Sequence, residues 1–529
     1  MKLYPSIFND VIGPVMRGPS SSHCAAALRI GRICRDLMGG QIDKVYIEFD
    51  PNGSLATTHN GQGSDMGLFG GFLGWNADDE RLKDYEQHIE AAGIVIDIDI
   101  HPIGADHPNT YKITLYNASE SHQVIGISTG GGMIEIIEID GAKVSLMGDF
   151  YTSILYTDHP HDVLQEIEAL HLGEASMHEG AKTFILVNAS QAEAERAKQE
   201  LVNLRHLKQR KSIEPVLPIT TRKNLSVPFI TVEELLAYNA DKQLNLWQLA
   251  VEYERIRGNI SAEAVLEKME NIAEIMQNSI QLGLKGTHYA DRILGSQSLE
   301  FKKQMDQHKL VPGDSLNYAT LFTSAMMEVK SSMGVIVAAP TAGSCGALPG
   351  TIIGTATACN LPKEKIVHAL LAAGLIGVFI TAHATFAAEV GGCMGECGSA
   401  SGMAAAAVVV LQEGSLDQAL AAASMALQSS LGLICDTVAD RVEAPCLNRN
   451  VMAASTAISS ANMALSNYDQ VIPLDEVIET MKRVGDAIHH TLRCTGLGGL
   501  AITKTAKAIE AKLKQDKRST APQQSFKNC

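Results

Sequence analysis

The chain has 529 residues, 46% hydrophobic and 19% charged, which fits a folded protein with a large buried core of three or four domains. Its formal net charge is −16, from 43 Lys and Arg against 59 Asp and Glu, and that excludes a nucleic-acid binder working through a basic face. The opening MKLYPSIFND lacks the basic-then-apolar layout of a secretion signal, so a cytoplasmic chain with reduced cysteines is expected.

Residues 1–150 read as an α/β domain. A serine-rich turn at Ser20, Ser21 and Ser22 precedes a helix predicted over residues 25–37. Val45, Ile47 and Phe49 alternate with Tyr46, Glu48 and Asp50, the pattern of a half-buried strand. The same alternation runs through Ile94, Ile96, Ile98 and Ile100, and through Ile113 and Leu115; residues 133–139 make a further strand.

Residues 151–220 read as a small separate α+β unit. TSILYT, a short stretch at 174–178, KTFILVN and residues 213–219 supply strands. HDVLQEIEALH and QAEAERAKQELVNLRHL supply helices, giving a βαββαβ, ferredoxin-like order. Lys208, Arg210, Lys211, Pro215, Pro218, Arg222, Lys223 and Pro228 give the chain that follows the composition of an exposed connection, with residues 221–230 as the linker.

From residue 231 to 515 the pattern is helical, an all-α domain. Thr231 and Glu234 form a capping-box signature, and Ser261 is the expected N-cap of an amphipathic helix carrying Val265, Met269, Met276 and Ile280. The most apolar stretch, residues 369–382, is shorter than a membrane span and is read as a buried helix. Residues 516–529 form a polar tail ending in Cys529.

Ten cysteines without a secretion signal argue against a disulfide framework. Cys393 lies in a glycine-rich segment, VGGCMGECG, while Cys435 and Cys446 close ICDTVADRVEAPC. Pro445 biases Ala444 towards extended backbone, which places Cys446 at the end of a turn. Thiolates suit zinc, copper(I) or iron–sulfur clusters. Only Cys393 and Cys397 have close C-x3-C spacing, so a structural zinc site is poorly supported. Spacing alone favours three buried structural thiols.

The chain nevertheless resembles the iron–sulfur L-serine dehydratases in a form with both chains fused. The matches run in order: GPSSSHC at residues 18–24, GSLATTHNGQGSD at 53–65, HPNT at 107–110 and GGG at 130–132. They continue with MGVIVAAPTAGSCGALPG at 333–350, GGC at 391–393, CD at 435–436, PCLNRN at 445–450 and TGLGGLA at 495–501. The resemblance implies a [4Fe–4S] cluster held by Cys393, Cys435 and Cys446, with Cys529 as a removable fourth ligand, and an ACT-like regulatory role for residues 151–220. It implies loss of water from serine to give aminoacrylate, then pyruvate and ammonia, with an open iron as Lewis acid. His23 and His107 are the candidate bases. Ser20, Ser21 and Ser22, together with Thr341, Ala342, Gly343 and Ser344, are the candidate substrate-binding turns, and Asp65 is expected to orient a partner side chain there. Cys345 is read as packing.

The departures from the family pattern are Gln62 in place of His, Cys24 in place of Thr, Lys330 in place of Asn, and the extra Cys397 and Cys494. They leave a lyase for threonine or cysteine open as an alternative. A pyridoxal phosphate lyase lacks a convincing Schiff-base lysine motif, and an amino-acid sensor leaves the cysteines unexplained. The expected partner is a small amino acid, with no nucleic acid and no membrane, and the expected assembly is a homo-oligomer, a dimer.

Overall fold

The computed structural model describes residues 4–222, 225–290, 292–439 and 441–520, with side chains up to residue 515. Cys529 lies outside the described residues.

A six-stranded sheet forms the first layer. Its spatial order is Val95–Ile100, Lys44–Phe49, Thr110–Tyr116, Ser121–Gly130, Met133–Ile139, Ala142–Leu146. The first pair is parallel and the rest are antiparallel. The expected alternation buries Val45, Ile47 and Phe49 on one face. Ile98 and Ile100 are exposed instead, because their strand is the sheet's edge.

Helices Ala26–Leu37 and Ser64–Phe72 lie against this sheet and cross each other closely. Glycines make the crossing possible. A Cβ on Gly71 would sit 2.3 Å from the Leu28 carbonyl oxygen, and one on Gly67 would sit 2.2 Å from that of Cys24.

The second sheet runs Leu207–Ile213, Tyr151–Thr157, Phe184–Ala189, Glu174–His178, all antiparallel. With helices Pro160–Leu170 and Gln191–Glu200 it has the βαββαβ order read from the sequence. Its two central strands, Tyr151–Thr157 and Phe184–Ala189, are apolar on both faces. Ile154, Phe184 and Leu186 join the core of the first sheet, while Leu155, Ile185 and Val187 pack on the unit's own helices. The unit therefore shares a core with the N-terminal domain and is not separate.

The last strand is Leu207–Ile213, not residues 213–219 as expected. Lys208, Arg210 and Lys211 belong to it rather than to an exposed connection. Edge strands commonly carry charged residues, Lys above all, and such a strand has the composition of a linker. Lys211 is buried and pairs with Glu120.

The C-terminal region is helical. Lys363–His383 and Met394–Leu411 are long and apolar enough to cross a membrane, but 78% and 100% of their apolar windows are buried. The first packs against Leu246–Gly258, Ala262–Gly283 and Ser399–Leu411, as the core helix expected from the sequence. Thr231 and Ser261 cap their helices as expected, accepting from the Glu234 and Ala264 amides.

The N-terminal segment, which opens with a π-helical turn at Ile7–Val11, is woven into this helical core. Ile7, Phe8 and Val11 are buried there, and Gly377 has no room for a Cβ beside Val11. Glu254 takes the Ile7 N–H (2.9 Å) and the Ser6 hydroxyl (2.5 Å). Val15–Met16 then pairs with Ile336–Val337, immediately before the APTAGS turn. This pairing holds the Ser20 turn and the Thr341 turn side by side.

Candidate active site

The site is assembled from several turns and helix ends. The first is a π-helical turn, Ser21–Ala25, entered from Ser20. Ser21 Oγ accepts the Ala342 N–H at 3.1 Å, so two turns 321 residues apart in sequence touch directly. Because that hydroxyl accepts from the backbone, its own proton is free to donate. The Thr341 turn is closed by its own capping box with Ser344, and Thr341 Oγ1 donates to buried Glu396 at 2.6 Å. Gly343 leaves room for that carboxylate, since a Cβ would fall 2.6 Å from it.

The glycine turn Gly130, Gly131 and Gly132 is wedged between these parts. All three have positive φ, and Cβ atoms on Gly130 and Gly132 would meet the Ala387 nitrogen and the Pro14 ring.

The cysteines come next. Cys393 sits in the loop after the short helix Ala388–Gly391; Cys435 lies in extended chain; Cys446 lies in the first turn of helix Ala444–Leu465. Ala444 is helical rather than extended, because Pro445 occupies a first-turn position where its missing N–H costs nothing. All three thiols are buried. The ligand atoms of Cys393, Cys435 and Glu396 lie within 4.8 Å of one another.

Two residues of the NRN motif organise this group. Arg449 reaches Cys393 Sγ at 3.6 Å and pairs with Asp436. Asn450 Oδ1 accepts the Gly346 and Ala347 amides, and its Nδ2 donates to the Gly343 and Cys446 carbonyls at 2.8 and 2.7 Å. It thereby ties the helix that carries Cys446 to the Thr341 turn. Asp436 also accepts the Leu500 N–H (2.7 Å), and Gly499 has no room for a Cβ against it, which accounts for the GGLA segment.

The histidines are held differently. His23 is fully buried, with Nδ1 3.0 Å from Ser20 Oγ and Nε2 2.8 Å from Thr58 Oγ1. Burial pulls its pKa down to about 3, so it is neutral at physiological pH, with Glu389 3.6 Å away. His107 Nδ1 accepts the Asn109 N–H at 3.1 Å, and burial lowers its pKa also. His59 was not among the expected bases. Its Nδ1 lies 2.8 and 3.0 Å from the two oxygens of Asp65.

Burial raises the pKa of Glu389, and raises that of Glu396 to about 7. Glu389 Oε2, both polar atoms of the Asn109 carboxamide, and Thr437 Oγ1 are buried without hydrogen-bond partners. The Asn109 carboxamide lies close enough to Glu389 to favour its charged form without completing a hydrogen bond. Orphaned polar atoms of this kind mark a place for a polar ligand.

A cavity of about 290 Å³ opens beside Gly61, Gly63, Lys330 and Arg441. Gln62 turns inward from this wall, its Nε2 3.6 Å from Cys494 Sγ. Cys24 donates to the Gln62 carbonyl at 3.1 Å, and burial pushes its thiol up to about 12, so it is packing. Lys330 is fully buried and donates to the Val442 carbonyl.

Comparison with known proteins gives the lineage. Residues 241–501 match the family described as serine dehydratase alpha chain. The probable L-serine dehydratase alpha chain of Bacillus subtilis (strain 168) is 35% identical over 285 residues, 54% of this chain and 95% of that protein. The chain belongs to the L-serine dehydratase family. The probable beta chain of the same organism is 44% identical over 146 residues, 28% of this chain and 65% of that protein. An L-serine dehydratase of Helicobacter pylori (strain ATCC 700392 / 26695) is 27% identical over 496 residues, 92% of this chain and 96% of that protein. Regions that are alpha and beta chains in some members of the family are thus fused here.

The serine turn, the Thr341 turn and the three cysteines were all legible as motifs, and the structure brings the two turns into contact. Glu389, Glu396, Arg449 and Asn450 were missed as functional residues. Arg449 and Asn450 lie inside a quoted motif, which was the available signal. Glu389 and Glu396 are lone acids in a glycine- and alanine-rich run, AAEVGGCMGEC, where charge is unexpected.

Proposed function

We propose that this chain is an iron–sulfur L-serine dehydratase that converts L-serine to pyruvate and ammonia. The observation that carries the reading is the approach of the buried Cys393 and Cys435 thiols, beside the helix that bears buried Cys446, together with orphaned polar atoms and two hydroxyl-bearing turns, in a member of this family. The donors fit a cluster. They are soft and buried, and Arg449 donates to Cys393 Sγ. Cys393, Cys435 and Cys446 would hold a [4Fe–4S] cluster, which when bound supplies a Lewis acid for the charge developing on the departing hydroxyl.

The protein supplies the rest. Ser21 and Ser22 hydroxyls, with the turn formed by Thr341, Ala342, Gly343 and Ser344, take the substrate carboxylate. Ser21 supports this, since its oxygen is already occupied by a backbone amide and its proton is available. Glu389 and Asn109 take the substrate ammonium group, supported by their unpartnered atoms.

The Cα proton goes to His59 Nε2. An imidazole held through Nδ1 by a carboxylate has the geometry of a general base. Expected from the sequence, His23 and His107 are read as positioning groups. His23 is engaged at both nitrogens, and His107 shapes the loop that carries Asn109. Proton removal and loss of hydroxide leave aminoacrylate, whose hydrolysis releases ammonia and pyruvate. The ferredoxin-like unit is read as an ACT-like regulatory module, a reading supported by its βαββαβ order.

Replacing Cys435 or Cys446 by Ser tests the ligand set. Each variant, purified anaerobically, is expected to lose iron, sulfide and pyruvate formation together. A variant that keeps a full complement of iron and sulfide would remove that residue from the set.

A further inference from the structure

Lys330 carries a buried charge that the proposed chemistry leaves idle. It sits in the last turn of helix Asp314–Ser331, a place where lysine usually reaches water and favours the helix dipole. Here the residue is 0% exposed. Among the described residues its amine has one hydrogen-bond partner, the Val442 carbonyl, and no carboxylate pairs with it. A lysine amine has three N–H groups, so two remain to be used. Burying a charge without an anion is costly, and buried charges are normally paired. A lysine kept in this state belongs where an anion arrives.

Its surroundings say which anion. Burial raises the pKa values of Cys24, Cys345, Glu396 and Cys446, and the charge on Lys330 opposes each rise. Cys24 lies in the serine turn, Cys345 follows the Thr341 turn, and Glu396 accepts from Thr341. Lys330 therefore stands where the two turns meet. The cysteines have a cation of their own, Arg449, on Cys393 and Asp436. Lys330 and Val442 also line the cavity beside Gly61 and Gly63. Gln62, between those glycines, stands where the family pattern has His, and Lys330 where it has Asn. One exchange removes a group able to carry positive charge, and the other adds one.

We propose that Lys330 binds the substrate carboxylate, supplying the countercharge between the serine turn and the Thr341 turn, and so selects an α-amino acid over its uncharged amide. This rests on the reading of those turns as the carboxylate site. The Val442 carbonyl holds the amine, and its two remaining N–H groups donate to the carboxylate. Asn at this position would offer only a neutral donor, and charge-assisted hydrogen bonds are the stronger kind.

The test uses full-length protein purified anaerobically as wild type, K330Q and K330N. Glutamine keeps a donor for Val442 without the charge. Asparagine is the residue of the family pattern and serves as the second variant should the first fail to fold. Pyruvate formation gives KM for L-serine, and L-serinamide, which has no carboxylate, is the competing inhibitor. Each variant is expected to raise KM by about 30-fold or more, the effect of removing one partner of a buried charge pair. Inhibition by L-serinamide is expected to stay within about threefold of wild type. High serine is expected to restore wild-type kcat, with iron and sulfide content unchanged. A KM within about threefold of wild type, or serine and serinamide weakened alike, would overturn the proposal. A kcat that high serine does not restore would overturn it too. So would loss of iron from the variants, which would tie the lysine to the cluster thiolates instead. Wild-type protein that turns over no serine would remove the proposed function itself, and this role with it.

Discussion

His59 and His23 sit close enough to influence each other, and His59 is the proposed base. Asp65 holds His59 at Nδ1, and 20% of the His59 side chain remains exposed; His23 is sealed between two hydroxyls. His59→Asn is therefore expected to lower kcat by about 10² to 10⁴, the usual range for loss of a general base, with iron and sulfide content unchanged. Wild-type kcat in that variant would return the role to His23 or His107. His23 has a separate signature. Its folded pKa, about 3, lies below the ordinary 6.5, so as pH falls through 6.5 the unfolded chain takes up a proton that the folded chain refuses. Its contribution is complete above about pH 6.5 and is lost towards acid pH. Thermal melts between about pH 7 and pH 5 should show wild type losing more stability than His23→Gln; parallel slopes would contradict the burial argument. At this scale the sequence revealed residue types with a chemical habit, such as serines before a helix and cysteines beside glycine. It did not reveal the His59–Asp65 pair as a base, because Nδ1 orientation depends on a turn, residues 59–65, that no periodicity encodes.

The elements that position these groups rely on close backbone approach. The helices Ala26–Leu37 and Ser64–Phe72 meet glycine to carbonyl, and the second begins just after that turn. Gly71→Ala places a methyl 2.3 Å from the Leu28 carbonyl oxygen, and overpacking of this kind costs about 1–3 kcal/mol. A lower melting temperature is expected for this variant, with the C-terminal cysteines untouched. An unchanged melting temperature would mean that the helices slide apart freely. Most elements were legible from period-two and helical patterns, including the βαββαβ order. The strand Leu207–Ile213 was not, because an edge strand with alternating Lys and Arg carries the composition of a linker. Val95–Ile100 was recognised as a strand but not as an edge, since the face that its isoleucines occupy is set by neighbours remote in sequence.

At the scale of the whole molecule, one site is made from both ends of the chain. The Ser6–Glu254 contact, the pairing of Val15–Met16 with Ile336–Val337, and Ser21 on Ala342 hold the two regions together. None of these is local, so the order of motifs along the sequence announced the parts but not their docking. Fusion of regions found elsewhere as alpha and beta chains fits this arrangement, since the serine turn comes from one region and the cysteines from the other. The central claim is that these parts form an iron–sulfur enzyme acting on serine. Anaerobically purified full-length protein, assayed for iron, sulfide and pyruvate release from L-serine, tests it most directly. The account predicts about four iron and four sulfide per chain and equal yields of pyruvate and ammonia. Pyruvate formed by protein free of iron, or a full cluster with no turnover of serine, would contradict it.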